Sequence, residues 1–298
     1  MIKVRVPATS ANMGPGFDSM GIALELNNEF TFKEIEEGLS FKNVSKEFCN
    51  EDNLIYIAMK KCFEAGGYEP KGIEIGIARE DVPVSRGLGS SSTCIVGGLV
   101  GANKIMDNKF TKEEILEMAV EIEGHPDNVA PAVLGGMVIS VVDNGKVLYE
   151  KIDVSDKLKF VPIIPDFKLS TEESRNVLPK EIPFKDGVFN VSRAALLVSS
   201  MINGDFHMLK TACNDAFHEK YRGKLIKNFD EVKENAYKNG ALASYLSGAG
   251  STIMAINDRN NDDFCGKIKE FLKEKNLDWD VYNLNVDKTG AKTQKGEN

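Results

Sequence analysis

The chain has 298 residues, of which 42% are hydrophobic and 28% are charged, and its formal net charge is -8. This length suits two domains, and the acidic balance argues against the broad basic surface that nucleic acid or an anionic membrane requires. The five cysteines are scattered without zinc-ligand or redox spacing, which favours a reducing compartment, and three histidines exclude a histidine-rich metal site. Without a signal peptide or an apolar run of 18 residues, we expect a cytoplasmic protein with no membrane or nucleic-acid partner.

The first half of the chain predicts alternating strands and helices. Residues 2–6 alternate apolar and charged side chains as a half-buried strand does, and the loop PATSANMGPGFDS follows. Further strands are predicted at residues 20–26, 29–35, 73–77 and 136–142, and helices at residues 54–63, with Gly66 as the C-cap, and 92–106. Thr111 and Glu114 form a capping box, which predicts a third helix ending near Gly124.

The polar segment 144–156 is the candidate boundary between two domains, residues 1–150 and 151–298. Beyond it we predict strands at residues 160–164 and 279–284, helices at 192–202, 206–217, 225–237 and 262–273, and a strand-loop-strand unit at 241–256. Residues 288–298 are polar without periodicity and predict a frayed tail. Helices and strands are mixed in both halves, which indicates an α+β architecture in two domains.

The stretch VPVSRGLGSSSTCI, residues 82–95, connects a predicted strand to a predicted helix with few large side chains. A helix N-terminus offers unpaired N–H groups and the positive end of the helix dipole, which phosphate oxygens satisfy where no side chain blocks the backbone. Gly87 and Gly89 remove that obstruction and permit left-handed backbone angles, and the serines at 90–92 add hydroxyls for phosphate or magnesium. A plain serine-capped turn has similar residues, and neither a Walker motif nor GxGxxG is present.

Two other polar groups stand out. Asn12 and Asp18 flank a loop of glycines and prolines and could bind the ammonium and hydroxyl of an amino-acid alcohol, although Asx side chains also bond their own backbone in turns. His125, Asp127 and Asn128 follow the predicted third helix, beside the carboxylate of Glu123. A kinase needs at least one carboxylate to hold magnesium between nucleotide phosphates, whereas a solvated acidic face needs no ligand.

Three motifs in order resemble the GHMP kinase superfamily, which includes galactokinases, homoserine kinases and mevalonate kinases. PVSRGLGSSS is similar to its nucleotide-binding motif, PATSANMGPGFDSMGIAL to its first motif and LSGAGSTIMAI to its third, and EGHPDNVAPAVLGG is similar to homoserine kinases in particular. Two residues depart from the pattern: Ser92 stands where alanine is usual, and Ser251 where proline is usual. The resemblance implies an N-terminal domain like ribosomal protein S5 domain 2 and a ferredoxin-like C-terminal domain, with the site in the cleft between them.

The resemblance implies ATP-dependent phosphorylation of the hydroxyl of L-homoserine to O-phospho-L-homoserine, a step in threonine biosynthesis, with Mg²⁺ as cofactor; homodimers are common in the superfamily. It assigns nucleotide binding to Pro83, Val84, Ser85, Arg86, Gly87, Leu88, Gly89, Ser90, Ser91, Ser92, Thr93, Gly248 and Gly250. It assigns the substrate to Asn12, Asp18, His125, Asp127, Asn128, Arg175 and Arg222. Magnesium is assigned to Glu123 and Ser91, with Glu117 and Glu121 as alternative carboxylates.

Two other functions compete with this one. A mevalonate-type kinase of the same superfamily would act on a substrate without an ammonium group, which gives no use for carboxylates at Asp18 and Asp127. A non-catalytic nucleotide-binding sensor would be expected to lose the magnesium carboxylate or the loop serines, and this chain keeps both. Whether a dedicated general base acts on the acceptor hydroxyl stays open at this stage.

Overall fold

The structure is a computed structural model that describes residues 1–295. In chain order the strands are β1 (Ile2–Ala11), β2 (Met20–Glu34), β3 (Gly38–Lys42), β4 (Gly72–Glu80), β5 (Met137–Asp143), β6 (Lys146–Ile152), β7 (Leu158–Ile164), β8 (Ala243–Leu246), β9 (Ile253–Asp258), β10 (Asp280–Val281) and β11 (Lys292–Lys295). The helices are α1 (Leu54–Gly66), α2 (Ser90–Ile105), α3 (Lys112–Glu123), α4 (Pro126–Leu134), α5 (Thr171–Asn176), α6 (Phe184–Asn203), α7 (Leu209–Ala212), α8 (Glu219–Arg222), α9 (Phe229–Lys238) and α10 (Phe264–Glu274). The predicted α+β class is confirmed.

The N-terminal sheet has the strand order β11-β1-β2-β4-β3, and β2 also pairs with β5, which pairs with β6. Only the β3–β4 pair is parallel within this sheet of the described residues. Helices α1 to α4 cover one of its faces and form a core with side chains such as Phe30, Phe32, Met59 and Leu99. The sheet and its helices therefore bring the start of α2 and the start of α4 to one end of this half.

The second sheet has the order β10-β7-β9-β8 and is antiparallel throughout. Helices α9 and α10 pack on one face in a core that includes Phe264 and Trp279. The other face shares a core with the N-terminal half, in which Leu24 and Met137 meet Phe160 and Leu197. Because this shared core is apolar and buried, the two halves have a defined relative position, and the cleft above it has fixed walls.

Residues 20–34 form one continuous strand, so the predicted break between two strands at residues 27–28 is wrong. The asparagine pair there suggests a turn, but Asn28 is 2% exposed and its side chain has tertiary partners. Its Oδ1 accepts from the Val82 N–H at 3.0 Å and its Nδ2 donates to Thr93 Oγ1 at 2.9 Å. Asn28 therefore ties the sheet to both ends of the glycine-serine stretch.

The predicted helix at 206–217 is reduced to a short 3₁₀ turn at Phe206–Met208 followed by α7. The carboxylate of Asp215 accepts backbone N–H groups from Phe217, His218 and Glu219, which ends the helical pattern and starts a new turn. The predicted helix at 225–237 begins four residues later, after Asn228 in the left-handed region. Helix α1 includes Gly66, and the left-handed cap is Gly67.

The prediction of a frayed tail at 288–298 is wrong for residues 292–295, which form β11 beside β1. An edge strand offers unpaired backbone groups that any extended segment can pair with, so side-chain periodicity does not reveal the contact. Asp287 holds the segment before β11 next to β1, because its carboxylate binds Arg5 at 2.7 Å and accepts hydrogen bonds from the N–H groups of Thr289 and Gly290. The last three residues of the predicted tail lie outside the described residues.

The predicted division at residue 150 falls inside β6, which pairs with β5 along its whole length. The polar character of residues 144–156 reflects an exposed hairpin end of the first sheet. The position of the domain boundary stays a prediction. Within residues 1–295, no helix is long and apolar enough to span a bilayer.

Candidate active site

A cavity of about 340 Å³ opens between the two halves, above their shared core. Its walls come from the glycine-serine stretch and the start of α2, the loop after β1, the start of α4, helix α5 and the loop between β8 and β9. Seventeen of the predicted site residues line it: Asn12, Asp18, Val84, Ser85, Arg86, Gly87, Gly89, Ser90, Ser91, Glu123, His125, Asp127, Asn128, Arg175, Arg222, Gly248 and Gly250.

The loops that carry the three motifs are hydrogen-bonded to one another. Gly248 donates its N–H to Ala11 O at 3.0 Å, which joins the third motif to the first. The Ser247 hydroxyl donates to Gly87 O at 2.6 Å, which joins the third to the second. The Thr9 N–H donates to Leu88 O at 3.1 Å and completes the triangle. Motifs that are far apart in sequence thus form one rigid cavity floor.

Helix α2 begins directly at the cavity. Its N-cap is Gly89, in the left-handed region at φ 70°, and no side chain caps the helix. The first N–H groups of the helix therefore lack a side-chain acceptor and stand beside the hydroxyls of Ser90 and Ser91. A phosphate group is the complement of such a helix start, because it accepts hydrogen bonds and carries the charge that the dipole favours.

The two glycines of this stretch have a second reason to be glycine. A Cβ on Gly89 would lie 2.0 Å from Thr9 Oγ1, and one on Gly87 would lie 2.3 Å from Ser247 O. Both residues have positive φ, as the sequence predicts. The missing side chains therefore let the three motif loops approach each other, in addition to leaving the backbone open to a ligand.

Glu123, the last residue of α3, points at the start of α2. The hydroxyls of Ser91 and Ser92 each donate to Glu123 Oε1 at 3.1 Å. Glu121 points elsewhere and pairs with Lys61, and neither it nor Glu117 lines the cavity. A carboxylate with adjacent hydroxyls is an all-oxygen donor set, which is the kind that Mg²⁺ prefers.

Asn12 and Asp18 lie at the other end of the cavity, on the loop after β1. Asn12 is buried, and its side chain donates to Gly248 O at 2.8 Å and accepts the Asp18 N–H at 3.0 Å. Both residues have positive φ, at 67° and 53°. Their geometry is thus turn-like, and it also places the Asp18 carboxylate 3.2 Å from the guanidinium of Arg175. The turn chemistry and the ligand role are compatible.

The HPDN segment starts helix α4, with Pro126 at its first position, where the sequence alone had allowed a simple turn. His125 Nδ1 lies 2.5 Å from the buried carboxylate of Asp127, and Asn128 accepts a hydrogen bond from Thr9. Burial lowers the pKa of His125, but the hydrogen bond to Asp127 and the negative charges around it outweigh burial, so the pKa lies above its usual value. Asp18, His125 and Asp127 have ligand atoms within 4.8 Å of one another.

Arg222 is 2% exposed, unlike the surface arginine that its local sequence suggests. Its Nε donates to Ser174 O and its Nη1 to Gly248 O, both at 3.1 Å, and the guanidinium lies over the Phe17 ring. Burial and the charge of Arg175 lower its pKa to about 10, which leaves it charged at neutral pH. A buried cation fixed at the cavity wall is suited to an anionic ligand.

Four residues predicted to bind nucleotide do not line the cavity: Pro83, Leu88, Ser92 and Thr93. Leu88 belongs to the shared core, and Thr93 binds Asn28 and Ser90 O. Ser92 is buried, and its hydroxyl donates a hydrogen bond to the Glu123 carboxylate. Arg86 lines the cavity, but its guanidinium is engaged by the backbone oxygens of residues 84, 165 and 166. The contacts of these residues with the rest of the protein hold the glycine-serine stretch in its conformation.

Sequence reasoning missed the apolar end of the cavity. This end is lined by Val44, Phe48, Leu54, Ile55, Ile77 and Cys94. Most come from the segment between β3 and α1 and from α1 itself, which carry no recognisable motif. An aromatic residue in a polar segment, Phe48, was the available signal in the sequence, and in the structure it is 53% exposed.

Comparison with known proteins identifies the family of this chain. The family model described as GHMP kinases N terminal domain matches residues 53–136, and that described as GHMP kinases C terminal matches residues 197–273. A homoserine kinase of Clostridium beijerinckii is 63% identical over 291 residues, which cover 98% of both chains. A homoserine kinase of Clostridium botulinum is 57% identical, with 100% of both chains covered.

Solved structures show the same fold. The crystal structure of homoserine kinase from Cytophaga hutchinsonii superposes with a TM-score of 0.87 at 29% identity and covers 98% of this chain and 97% of that one. A mevalonate kinase from Methanococcus jannaschii gives a TM-score of 0.71 at 17% identity, covering 95% and 98%, which is a likeness of fold alone. With full-length relatives at this identity and with both family models matched, the chain belongs to the homoserine kinase family of the GHMP kinases.

Proposed function

We propose that this protein transfers the γ-phosphoryl group of ATP to the hydroxyl of L-homoserine and so produces O-phospho-L-homoserine for threonine biosynthesis. The relatives that share more than half of its residues are homoserine kinases over their whole length. The structural observation that carries the proposal is the Asp18–Arg175 pair at 3.2 Å, in the same cavity as the uncapped start of α2. We place the reaction in the cytoplasm, in keeping with free cysteines.

The substrate end of the cavity suits a zwitterion. Asp18 and Asp127 supply negative charge for an ammonium group, and Arg175 and Arg222 supply positive charge for a carboxylate. Without a ligand, Asp18 and Arg175 neutralise each other across an ion pair that is more than a third exposed, so that exchanging partners costs little. An amino acid satisfies both charges at once, and an arginine fork binds its carboxylate with two hydrogen bonds.

The nucleotide would occupy the other end. Its phosphates would accept from the first N–H groups of α2 and from the Ser90 and Ser91 hydroxyls. Its base would lie in the apolar end lined by Phe48 and Ile55, where an aromatic heterocycle loses little by leaving water. The γ-phosphate would then face the substrate end, since the two ends share one cavity.

Glu123 and the Ser91 hydroxyl would hold Mg²⁺, which neutralises charge on the phosphate oxygens when it is bound. Phosphoryl transfer depends on positioning and charge neutralisation more than on covalent help from the protein. Asn12 and Asp127 would orient the acceptor at its end of the cavity, and His125, whose Nδ1 lies 2.5 Å from Asp127, would bind the acceptor oxygen. The proposal assigns no dedicated general base.

The competing functions fit less well. A mevalonate-type acceptor has a carboxylate but no ammonium group, so it would leave Asp18 and Asp127 facing it without a counter-charge. The likeness to mevalonate kinases is one of fold alone. A non-catalytic sensor has no use for a carboxylate held at the helix start by two serines.

The test is coupled ADP release with magnesium-ATP against L-homoserine, L-serine, mevalonate, shikimate and galactose. We expect turnover with L-homoserine only. Arg175→Ala should raise KM for homoserine at least about 100-fold with little change in ATP binding, because it removes a charged partner of the carboxylate. Arg259→Ala, an exposed arginine outside the cavity, is the matched control. Preference for mevalonate or a sugar would overturn the assigned substrate.

A further inference from the structure

Thr9 lies near the end of β1, buried directly behind the cavity. It is 0% exposed, pairs with Ala23 across the sheet and donates its N–H to the Leu88 carbonyl oxygen at 3.1 Å. A β-branched side chain has few rotamers, so a fixed backbone also fixes the direction of the Thr9 hydroxyl. Thr9 itself does not line the cavity. Any effect of its hydroxyl on a ligand must therefore pass through a neighbouring residue.

That neighbour is Asn128, in the first turn of α4. The Thr9 hydroxyl donates to Asn128 Oδ1 at 2.8 Å, and the same oxygen faces the glycine-serine stretch, since a Cβ on Gly89 would lie 3.2 Å from it. The amide nitrogen of Asn128 lies on the side of Asp127, 3.5 Å from that carboxylate. Asn128 is half-buried and lines the cavity, so a ligand can reach its amide.

The two ends of the Asn128 amide are not interchangeable at this position. A threonine hydroxyl can donate or accept a hydrogen bond, so Thr9 alone could hold either end. With the amide reversed, Oδ1 would face the Asp127 carboxylate, and two oxygens with no hydrogen between them repel each other. Asp127 therefore excludes the reversed orientation, and the Thr9 hydroxyl holds the amide in the orientation that remains.

The amide nitrogen of Asn128 has hydrogen-bonding capacity to spare. It carries two hydrogens, and within residues 1–295 its one protein acceptor is Asp127 Oδ1, at a distance that is long for a hydrogen bond. At least one of the two hydrogens is thus available to a ligand in the cavity. The oxygen of the same amide, by contrast, is already bonded to Thr9.

We propose that Thr9 is a positioning residue for phosphoryl transfer: its hydroxyl holds the Asn128 amide with the nitrogen, and not the oxygen, toward the reacting groups. This role rests on the proposed function, in which the γ-phosphoryl group passes from the start of α2 to an acceptor near His125. Asn128 stands between these two ends, with Gly89 on one side and Asp127 on the other. The phosphoryl oxygens and the acceptor hydroxyl both present lone pairs there, which an N–H donor binds and a carbonyl oxygen repels.

A purely structural role for Thr9 would have a different consequence. Its N–H binds Leu88 O and its hydroxyl lies against Gly89, so a loss of packing at Thr9 would act through the glycine-serine stretch and hence through ATP binding. The proposed role acts through Asn128 and hence through the chemical step. The two roles therefore differ in whether KM for ATP or kcat changes.

The first test compares variants of Thr9. Thr9→Val keeps the branched shape and removes the hydroxyl, and we expect kcat to fall at least about 10-fold with KM for ATP within about threefold of the wild type, because a misplaced group can cost about 100-fold in rate. Thr9→Ser retains the hydroxyl and should restore kcat to within about threefold. Thr252→Val is the matched control, because Thr252 is buried and its hydroxyl has no partner within residues 1–295. Thermal melts check that each variant is folded.

The second test is a double-mutant cycle with Asn128→Ala. Because the Thr9 hydroxyl acts through the amide, Thr9→Val should change kcat by less than about twofold once the amide is removed. An equal loss in both backgrounds would overturn the proposal, as would a Thr9→Val variant with unchanged kcat and a raised KM for ATP. If the protein prefers another acceptor, the assigned substrate is wrong, but the cycle is run with that acceptor and decides the role of Thr9 separately.

The third test measures the orientation of the amide without turnover. In ¹⁵N spectra the side-chain NH₂ signals of Asn128 are those that disappear in Asn128→Ala. We expect one pair of signals in the wild type and in Thr9→Ser, and a doubled or broadened pair in Thr9→Val, because the side chain then samples more than one rotamer. A single unchanged pair in Thr9→Val would overturn the proposal, even for a protein that turns over none of the acceptors.

Discussion

At the scale of single residues, Glu121 and Glu123 show how much two positions on a helix can differ. Both are close to the end of α3, but Glu123 accepts from two serine hydroxyls at 3.1 Å in the cavity, whereas Glu121 pairs with Lys61 on the surface. Sequence reasoning favoured Glu123 and left Glu117 and Glu121 as alternatives. The geometry supports the choice, because only one of the three carboxylates lines the cavity.

The first prediction follows from that difference. Glu123→Gln keeps the shape and a hydrogen-bond acceptor but removes the charge that would hold Mg²⁺. We expect kcat to fall at least about 100-fold, since it removes a group that stabilises charge at the phosphates. Steady-state kinetics with homoserine and ATP measure it, and a thermal melt checks folding. Glu121→Gln should stay within about twofold of the wild type; if the two variants behave alike, Glu123 is not the ligand.

The second prediction concerns Gly89, which has φ 70° and faces Thr9 Oγ1. An alanine there must adopt left-handed angles and fit a Cβ 2.0 Å from that oxygen, so we expect a loss of about 2–4 kcal/mol in the free energy of unfolding. Urea denaturation measures it. Gly266→Ala on α10 is the control: nothing lies within 4 Å of its Cβ, so it should stabilise by about 0.5–1 kcal/mol. A Gly89→Ala variant as stable as the wild type would contradict the loop contact.

At the scale of elements, a buried polar network holds the first motif loop in place. His218 Nε2 donates to Gly14 O at 3.1 Å, and Asn190 on α6 donates to Pro15 O at 3.3 Å and to Asp215 at 2.8 Å. Neither Asn190 nor His218 lines the cavity. Their effect is indirect: they fix the backbone between Asn12 and Asp18, and so the position of the carboxylate that faces the substrate.

The third prediction is a pH dependence from this network. Burial lowers the pKa of the fully buried His218, and the nearby charge of Asp215 offsets this only in part. As the pH falls below about 6.5, the His218 side chain binds a proton in the unfolded chain but not in the folded chain. The free energy of unfolding is therefore highest above that pH and decreases below it. His218→Gln retains an N–H donor but does not titrate. Its melting temperature should therefore fall less than that of the wild type between about pH 7.5 and pH 5.

Differential scanning calorimetry across that range measures the difference. His207→Gln, at an exposed histidine on the 3₁₀ turn, serves as the control and should follow the wild type. The pKa of Asp215 is lowered: burial raises it, but the electrostatic interaction with His218 and the hydrogen bonds from Asn190 and the backbone outweigh burial. The stability that Asp215 contributes is present above about pH 3.9 and is lost at lower pH, which lies outside the pH range of this measurement. Parallel curves for wild type and His218→Gln would contradict the assignment.

Elements with strong end signals were predictable. The predicted capping box of Thr111 and Glu114 and the predicted end of helix α3 near Gly124 are both confirmed by the structure. The full length of strand β2 was not predictable, because the asparagine pair at residues 27–28 suggests a turn locally, whereas the Asn28 side chain bonds a distant loop. The strand β11 was not predictable either, because within residues 1–295 it pairs with β1, at the other end of the chain.

At the scale of the whole molecule, the two halves share a buried core and a sheet strand. Leu24 and Met137 pack with Phe160 and Leu197, and β11 returns the end of the chain to the first sheet. The cleft therefore has little freedom to change width without exposing apolar surface. Neither half covers its own share of this core when it is isolated.

The fourth prediction is that the halves unfold together. The one tryptophan, Trp279, is buried in the core behind the second sheet and reports on the C-terminal half, whereas circular dichroism reports on the whole chain. In urea we expect both signals to change at the same midpoint, because separating the halves would expose the shared core. A tryptophan transition clearly displaced from the circular dichroism transition would show that each half is stable alone.

Local chemistry was enough to identify the α+β class and the glycine-serine loop, because each depends on residues a few positions apart. The resemblance of three motifs then led to the family. Other features depend on contacts between distant segments: the burial of Arg222 against Phe17 and Ser174 O, and the apolar end of the cavity near Phe48. Burial is set by what the rest of the chain places around a residue, and no local pattern contains that information.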